Sequence, residues 1–561
     1  MFAALASARE VTVTLLATSD MHGNIYPYDY LTGKPAARGL AKLATLIRNE
    51  RRTAPLALLV DCGDTIQGTP LESVYQHYVT TGKLPLKLQF DGKPFTADPM
   101  MVAMNYLRYD AMAVGNHEYN YGARSMDKAR QDARFPWLSA NTHTSPGSGR
   151  KPFEPYAVKT VDGVKVGIVG ITTPSVPNWE KPENYAGYSF GNGRVAAEAA
   201  VKDLRSRHKP DLVVVIAHSG LDRQNRTRLQ RAGEKPRENM ANELALVAGV
   251  DVVVFGHTHN QVEEMRIGDV LLTQPKNWAL SASRVDVKLV SKVEGGYRVV
   301  SKAARILPST AATEPDPEVM RLIAPYHEMT ERYLNSVVTE AKSSMDASRS
   351  RIEDTAMIDT IHRAQLFYAK ADVSFASAFN PKAAIKKGPL TVRELAELYL
   401  YDNELYAIEG TGKMVKDALE VAARFFNTCP DASCTTGPLI NRAVIGYNYD
   451  MAQGVTYEVD LTRPLGDRIR KLSFRGKALD PEQKLTIAVN NYRAAGSNGY
   501  TMFKKAKVVW RSREMIRDLL IRYYADRELP EAPDNNWRVT PTAAQETLRR
   551  EVRRDRQTVL K

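Results

Sequence analysis

Residues 111–122 read AMAVGNHEYNYG. A short apolar run ends in a glycine and then in Asn116, His117 and Glu118. Four other junctions repeat the design. Val11–Ala17 leads to Asp20 and His22, and Leu56–Val60 leads to Asp61-Cys62-Gly63-Asp64. Leu212–Ala217 leads to His218-Ser219-Gly220, and Val252–Phe255 leads to Gly256-His257-Thr258-His259. Runs of this kind suit strands buried on both faces. Between the first two lies a helical stripe, Leu40, Leu43, Leu46 and Ile47. Asp98-Pro99 reads as an N-cap followed by a proline at the first helical position. The expectation is a layered α/β domain.

In an open α/β sheet the carboxyl ends of neighbouring strands converge on one crevice. Two Asp, one Asn and up to five His would then face a single site. Carboxylates and neutral imidazoles are good ligands for Mn, Fe, Co or Zn. Asp-x-His and His-x-His place alternate side chains on one side of an extended segment. One Asp bridging two pockets holds cations about 3.5–4 Å apart, the spacing used for in-line phosphoryl displacement. Glycines at 23, 63, 115 and 256 let the backbone turn beside the ions. His143 and His208 lack such context and are expected at the solvated surface.

The chain has 561 residues, 43% hydrophobic and 25% charged. That is globular composition, and the length implies roughly two to four domains. No run approaches the ~20 apolar residues of a membrane span. Lys+Arg 77 against Asp+Glu 64 gives +13. Such a balance suits nucleic acid, a membrane surface, a polyanionic substrate or solubility alone. Without a dense basic cluster carrying interleaved aromatics outside the short tail, specific nucleic-acid binding is not expected. Of the 3 Cys, Cys62 reads as a buried small hydrophobe. Cys429 and Cys434 flank a turn-like stretch and fit a local disulfide or a zinc half-site. With no second Cys/His pair nearby the disulfide is favoured, which implies an oxidising compartment.

Residues 308–317 are rich in Pro, Ser and Thr and mark a boundary. The divisions expected are 1–9, a frayed terminus or the remnant of an export signal; 10–307, the α/β domain; 308–336, a linker and connector helix; 337–526, a second domain; and 527–561, a charged tail with a surface helix over Leu548–Lys561. Residues Ala6-Ser7-Ala8 look like a signal-peptidase site, but the preceding apolar stretch is short and lacks positive charge. The second domain carries a capping box, Thr391-x-x-Glu394, before an apolar run Leu395–Leu400.

The order Asp-x-His, Gly63-Asp-x-x-Gln-Gly68, Gly-Asn-His-Glu, Ala-His-Ser-Gly and Gly-His-x-His resembles the calcineurin-like metallophosphoesterases. More narrowly it resembles the two-domain bacterial 5'-nucleotidase family, over roughly residues 10–525. The resemblance implies a four-layer α/β sandwich followed by an α+β nucleotide-binding domain. It implies that Asp20, His22, Asp64 and His259 bind one divalent ion, and that Asp64, Asn116, His218 and His257 bind a second. A water activated by the two ions (Mn, Zn, Co or Fe) would attack phosphorus. His117 would contact the phosphoryl group or protonate the leaving oxygen.

Typical 5'-nucleotidases carry an Asp three residues after that His, where Asn120 stands here. The form Asn-His-Glu-aromatic-Asn-Tyr-Gly is similar to the periplasmic 2',3'-cyclic-nucleotide 2'-phosphodiesterases with 3'-nucleotidase activity. Tyr28-Asp29-Tyr30 and Asn490-Asn491-Tyr492-Arg493-Ala494 look like the same branch. By this resemblance Tyr492 and Tyr449 would sandwich the base, with Asn380, Asn498 and Arg351 also binding substrate. Asn498 stands where 5'-nucleotidases have an Asp for the ribose. The implied reaction is hydrolysis of 2',3'-cyclic nucleotides to 3'-nucleotides and then to nucleosides, with a 5'-nucleotidase or nucleotide-sugar hydrolase as the alternative. A periplasmic or secreted monomer acting on small-molecule nucleotides is expected, with domain rotation about residues 308–334.

Overall fold

The structure is a computed structural model that describes residues 8–85, 95, 97–222, 236–401, 403–431 and 433–559. Residues 1–7 of the stretch read for an export signal lie outside the described residues, as do the last two of the tail. The chain forms two compact units, Met1–Tyr333 and Leu334–Lys561.

The first unit is built on two six-stranded sheets. One runs in the order Tyr297–Pro308, Ser281–Ser291, Glu10–Thr18, Leu58–Asp61, Ala111–Ala113, Trp137–Leu138. The other runs Val262–Ile267, Val270–Gln274, Val252–Phe255, Leu212–His218, Val164–Thr172, Tyr156–Val161. One core joins their inner faces: Val13, Leu15, Val60 and Ala113 from the first meet Val166, Ile168, Val214, Ile216 and Val254 from the second. Alternation sends Val169, Val213, Val215 and Val253 outward onto helices Gly193–His208 and Ala241–Leu244. The same alternation turns the fully buried Leu16 and Leu59 to the outer face of the first sheet. The strands bearing them are parallel, and helix Leu40–Thr53 makes the crossover between them. The α/β sandwich is therefore two sheets between helical layers. Asp98 caps helix Pro99–Leu107 as expected, its Oδ1 accepting from Met101 N at 3.1 Å.

Two expectations change here. The donor-bearing strands do not belong to one open sheet: three end in the first sheet and two in the second. All five runs read alike because both sheets are parallel at the centre, so sequence pattern cannot assign a strand to a sheet. Residues 308–334 do hold the expected connector helix, but they pack on the first unit along their length. Lys42 Nζ binds the carbonyls of Thr310, Ala311 and Thr313. Helix Pro317–Leu334 buries Val319, Ile323, Tyr326 and Met329. Its His327 stacks on Tyr26 at 4.1 Å and bonds Tyr30 Oη at 2.9 Å, while Tyr28 Oη donates to Glu331. The Tyr28-Asp29-Tyr30 motif thus fastens this helix to the first unit.

The second unit has a five-stranded sheet in the order Asp450–Gln453, Val373–Ser377, Lys484–Asn490, Glu404–Thr411, Val508–Met515. A four-stranded sheet runs Lys477–Ala478, Ile469–Phe474, Val455–Asp460, Trp537–Thr540. The Thr391–Glu394 capping box is formed. The stretch 527–561, read as a charged tail, is largely integral to this unit. Strand Trp537–Thr540 pairs in parallel with Val455–Asp460, and helix Thr542–Val559 buries Ala544, Thr547 and Leu548. Three small or apolar residues at helical spacing make a narrow stripe that the surrounding charge conceals. Cys429 and Cys434 form a disulfide, and Cys62 is a buried free thiol.

Candidate metal centre

Backbone pairing continues past the strand ends. Asp20 N donates to Gly63 O at 2.9 Å, His22 N to Asp64 O at 2.9 Å, and Gly23 N to Thr65 O at 2.8 Å. The first two loops are therefore zipped together. Asp20, His22, Asp64, His257 and His259 all hold left-handed backbone, with φ between 48° and 75°. That conformation is disfavoured for residues with a Cβ and accumulates at functional sites. Glycines make the close approaches possible. A Cβ on Gly63, whose φ is +93°, would lie 2.6 Å from Gly115 N, and one on Gly256 would lie 1.9 Å from Ser19 Oγ.

Ligand atoms of Asp20, His22, Asp64 and His259 lie within 4.8 Å of one another, as do those of Asp64, His218 and His257. Asp64 belongs to both groups. Asn116 Oδ1 adjoins the second, 3.1 Å from His218 Nε2. His117 sits between them, its Nε2 3.9 Å from Asp64 Oδ2. All seven candidate ligands are thus brought together, and His143 and His208 lie exposed elsewhere.

The outer nitrogens of the rings are already engaged. His22 Nδ1 meets Gln67 O at 2.9 Å, His218 Nδ1 meets Cys62 O at 2.8 Å, and His257 Nε2 meets Glu238 Oε1 at 3.0 Å. A carbonyl or carboxylate only accepts, so each contact fixes a hydrogen on that nitrogen and turns the other nitrogen's lone pair inward. The inward nitrogens meet in pairs: His22 Nε2 and His259 Nε2 at 3.0 Å, His218 Nε2 and His257 Nδ1 at 3.2 Å. Lone pairs converging on buried carboxylates form a donor set suited to cations. Burial opposes ionisation of Asp64, but His218, His117 and His22 hold its carboxyl well below the usual range. Burial pushes His22 down to about 4, overriding Asp64 at 3.8 Å. Burial also opposes charge on His218, yet Asp64 at 3.0 Å wins and pushes it up to about 10, so a cation would take its place at Nε2 by displacing a proton. The closer approach of Asp64 to His218, with Asp20 and Glu118 adding to it, and the repulsion of His22 by His117 and His259 separate the two outcomes.

Residues that sequence reasoning passed over support this centre. Glu118, fully buried, accepts from Gly115 N at 2.6 Å, Asp64 N at 2.9 Å, Thr65 N at 2.6 Å and Ile66 N at 3.4 Å. One side chain thereby shapes the turns that carry both Asp64 and Asn116. Asn120, which the sequence already singles out as a catalytic candidate with His117, accepts from His117 Nδ1 through Oδ1 and donates through Nδ2 to Glu180, which the sequence did not mark. Trp179 leans on His257 with ring centroids 5.4 Å apart. Trp179 and Glu180 follow strand Val164–Thr172, a run that ends in no donor motif and so gave no signal.

The second unit corrects one expected substrate residue. Tyr449 is only 2% exposed, stacked on Phe425 at 5.0 Å and packed by Phe426 and Trp537. It is a core residue and is not available to a base. Tyr447, two residues earlier and outside the strand, is half-buried instead. Tyr492 is 43% exposed. The two segments adjoin because Arg493, itself buried, grips Asp450 with Nε at 2.6 Å and Nη2 at 2.9 Å and donates to Tyr447 O at 2.8 Å. Arg351 donates to Ala378 O and lies against Gly446, the residue before Tyr447. Asn380 is occupied locally, donating to Glu397 O and accepting from Lys382 N. Asn498 is exposed with left-handed φ 58°, its carbonyl held by Arg424.

Residues 13–261 match the family model of calcineurin-like phosphoesterases, and residues 336–505 match that of the 5'-nucleotidase C-terminal domain. The chain is 30% identical to the trifunctional nucleotide phosphoesterase protein YfkN of Bacillus subtilis, over 96% of this chain but 39% of that protein. It is 28% identical to the 2',3'-cyclic-nucleotide 2'-phosphodiesterase/3'-nucleotidase of Yersinia enterocolitica, over 97% of this chain and 90% of the relative. Two solved structures share the fold. A Staphylococcus aureus chain solved with alpha-ketoglutarate has TM-score 0.73 and 24% identity, covering 94% of this chain and 100% of that one. The 5'-nucleotidase precursor of Thermus thermophilus has TM-score 0.59 and 24% identity, covering 95% and 100%.

Proposed function

We propose, for a chain that carries a calcineurin-like phosphoesterase domain followed by a 5'-nucleotidase C-terminal domain, metal-dependent hydrolysis of nucleotide phosphoesters. The preferred sequence is 2',3'-cyclic nucleotide to 3'-nucleotide, then 3'-nucleotide to nucleoside and phosphate. One observation carries the reading: two donor sets that share Asp64. Relatives named for this pair of activities at 28% identity support the choice of substrate.

Asp20, His22, Asp64 and His259 would hold one divalent ion, and Asp64, Asn116, His218 and His257 the other. Mixed imidazole and oxygen donors suit Mn, Zn, Co or Fe. Such a pair of ions supplies Lewis acidity to the phosphoryl oxygens and acidifies water at neutral pH. The chain's own groups do the rest. His117 has Nδ1 tied to Asn120, leaving Nε2 to meet the phosphoryl group and hand a proton to the departing oxygen. Water's oxygen joins phosphorus and gives one proton to solvent, the bond from phosphorus to O2' breaks, and O2' takes the proton of His117 Nε2, which solvent then restores. A second water splits the bond to O3' in the same way. Tyr447 and Tyr492 would hold the base, because stacking tolerates any base and is worth about 1–3 kcal/mol each. Arg351 steadies the Tyr447 loop, and the exposed Asn498 would meet the ribose. The net charge of +13 suits anionic substrates.

A periplasmic or secreted location is supported by the Cys429–Cys434 disulfide. Among the described residues no helix is long and apolar enough to cross a membrane. The test is hydrolysis of 2',3'-cyclic AMP, 3'-AMP and 5'-AMP after chelation and restoration of each metal. Turnover of the first two, dependent on added metal, is expected. Preference for 5'-AMP would move the chain to the 5'-nucleotidases, and hydrolysis without metal would overturn the mechanism.

A further inference from the structure

The departure at residue 120 has a structural counterpart. A histidine that contacts a phosphoryl group through one nitrogen needs its other nitrogen held in a defined state, and a carboxylate beside that nitrogen is the direct solution. Here the neighbour of His117 Nδ1 is the amide oxygen of Asn120, which carries no charge. The carboxylate lies one residue further out. Glu180 Oε2 accepts from Asn120 Nδ2, and Glu180 is buried with 9% of its surface exposed. Its other oxygen accepts from Lys181 N at 2.6 Å and Asn184 Nδ2 at 2.8 Å. Asn184 Nδ2 also donates to Asn120 O at 2.9 Å, closing the frame around the pair.

We infer that Glu180 is a positioning residue that sets the tautomer of His117 through Asn120. The argument is one of donors and acceptors. A carboxylate can only accept, so the Asn120 atom facing it must be the NH2 group. The opposite atom is then the carbonyl oxygen, which also only accepts. His117 Nδ1 must therefore carry hydrogen in every charge state, and Nε2 is the nitrogen that exchanges its proton. Without Glu180 the amide could rotate by 180° and donate to Nδ1, which would leave Nδ1 without a hydrogen, so that handing the Nε2 proton to the departing oxygen would require an anionic ring.

The role of His117 belongs to the functional reading above, so the test must separate failure of the relay from failure of that reading. The variants are Glu180→Gln, Asn120→Asp and the double variant, assayed on 2',3'-cyclic AMP with bound metal counted in each. Asn120→Asp alone sets two carboxylates face to face, and kcat should fall about 100-fold or more, within the range a proton-transfer group supplies. Glu180→Gln alone should lower kcat about tenfold, because whichever way the new amide turns, donors meet donors on one side. The double variant restores every partner. The carboxylate introduced at position 120 accepts from His117 and from the NH2 group introduced at position 180. The carbonyl oxygen of that same new amide accepts from Lys181 N and Asn184. The kcat of the double variant should return to within about tenfold of the parent, with KM and two bound ions unchanged in all variants. The 15N shifts of the His117 ring should report hydrogen on Nδ1 in the parent and the double variant, and a mixture of tautomers in Glu180→Gln. A double variant slower than Asn120→Asp, or unaltered ring shifts in Glu180→Gln, would overturn the relay. If instead the parent chain shows no metal-dependent turnover, it is the functional reading that fails.

Discussion

Replacing Glu118 by Gln removes one formal charge and no volume, yet it should damage the metal centre. The carboxylate accepts four backbone N–H groups: Oε2 takes those of Gly115 and Asp64, and Oε1 takes those of Thr65 and Ile66. An amide supplies one carbonyl oxygen and one NH2 group. Whichever way it turns, two buried N–H groups face a donor. Each such orphan costs about 1–3 kcal/mol, so the two turns together lose about 2–6 kcal/mol. Asp64 is held at φ 59°, a conformation that relaxes when its clamp is weakened. The assay is calorimetric titration of the chelated protein with Mn2+, beside thermal unfolding. Affinity should drop about 10–100-fold, the usual effect of losing support behind a ligand, and the first unit should unfold at lower temperature. Unchanged affinity and unchanged unfolding temperature would refute the assignment of Glu118 as the residue that shapes both turns.

Other variants discriminate among the aromatic residues, the disulfide and the buried acids of the second unit. Tyr447→Ala and Tyr492→Ala should each raise KM about tenfold with a smaller change in kcat, as loss of base stacking predicts. Tyr449→Ala should act on stability instead, costing about 3–5 kcal/mol in thermal unfolding by leaving a cavity beside Phe425 and Trp537. Cys429 and Cys434 lie 5 positions apart in the sequence. Replacing both by Ser should cost about 2 kcal/mol of stability on loop-entropy grounds, and reductant should reproduce the loss in the parent chain. Burial, with Asp354 and Asp534 adding repulsion and Arg363 opposing, pushes Asp359 up to about 7; burial and Asp534 push Asp354 up to about 6. These folded values exceed the unfolded value of about 3.9, so the folded state binds protons more tightly. The contribution is complete below about pH 4 and is lost as pH rises through about 7. In chelator, Asp359→Asn should therefore flatten the fall in unfolding temperature between about pH 5 and about pH 8, and an unflattened curve would contradict the placement of that charge.

Much of the centre was legible because its chemistry recurs at strand ends. Each donor motif follows an apolar run, and five repetitions in one chain left little room for coincidence. The residues behind the donors were less visible. Glu118 was in plain sight within Gly-Asn-His-Glu, but its four backbone partners come from two loops that only the tertiary structure brings together. Glu180 had no periodic or compositional mark, since a single Glu after a Pro-rich loop is ordinary surface in most sequences. The reading of Tyr449 as a base-stacking residue failed on its burial. Tyr447 and Tyr449 both belong to a Gly-Tyr-Asn-Tyr-Asp stretch, and only the start of strand Asp450–Gln453 decides which ring turns into the core. The assignment of 527–561 to a tail failed because charge dominates the composition of a helix whose buried stripe is narrow.

The central claim is that two ions bridged by Asp64 are needed for phosphoester hydrolysis. Titrating the chelated chain with Mn2+ while following hydrolysis of 2',3'-cyclic AMP tests it most directly. The account predicts little turnover at one equivalent, a rise to full activity as the second binds, and loss of both the second ion and the activity in Asp64→Asn. Full activity at one equivalent, or an active Asp64→Asn chain, would contradict it.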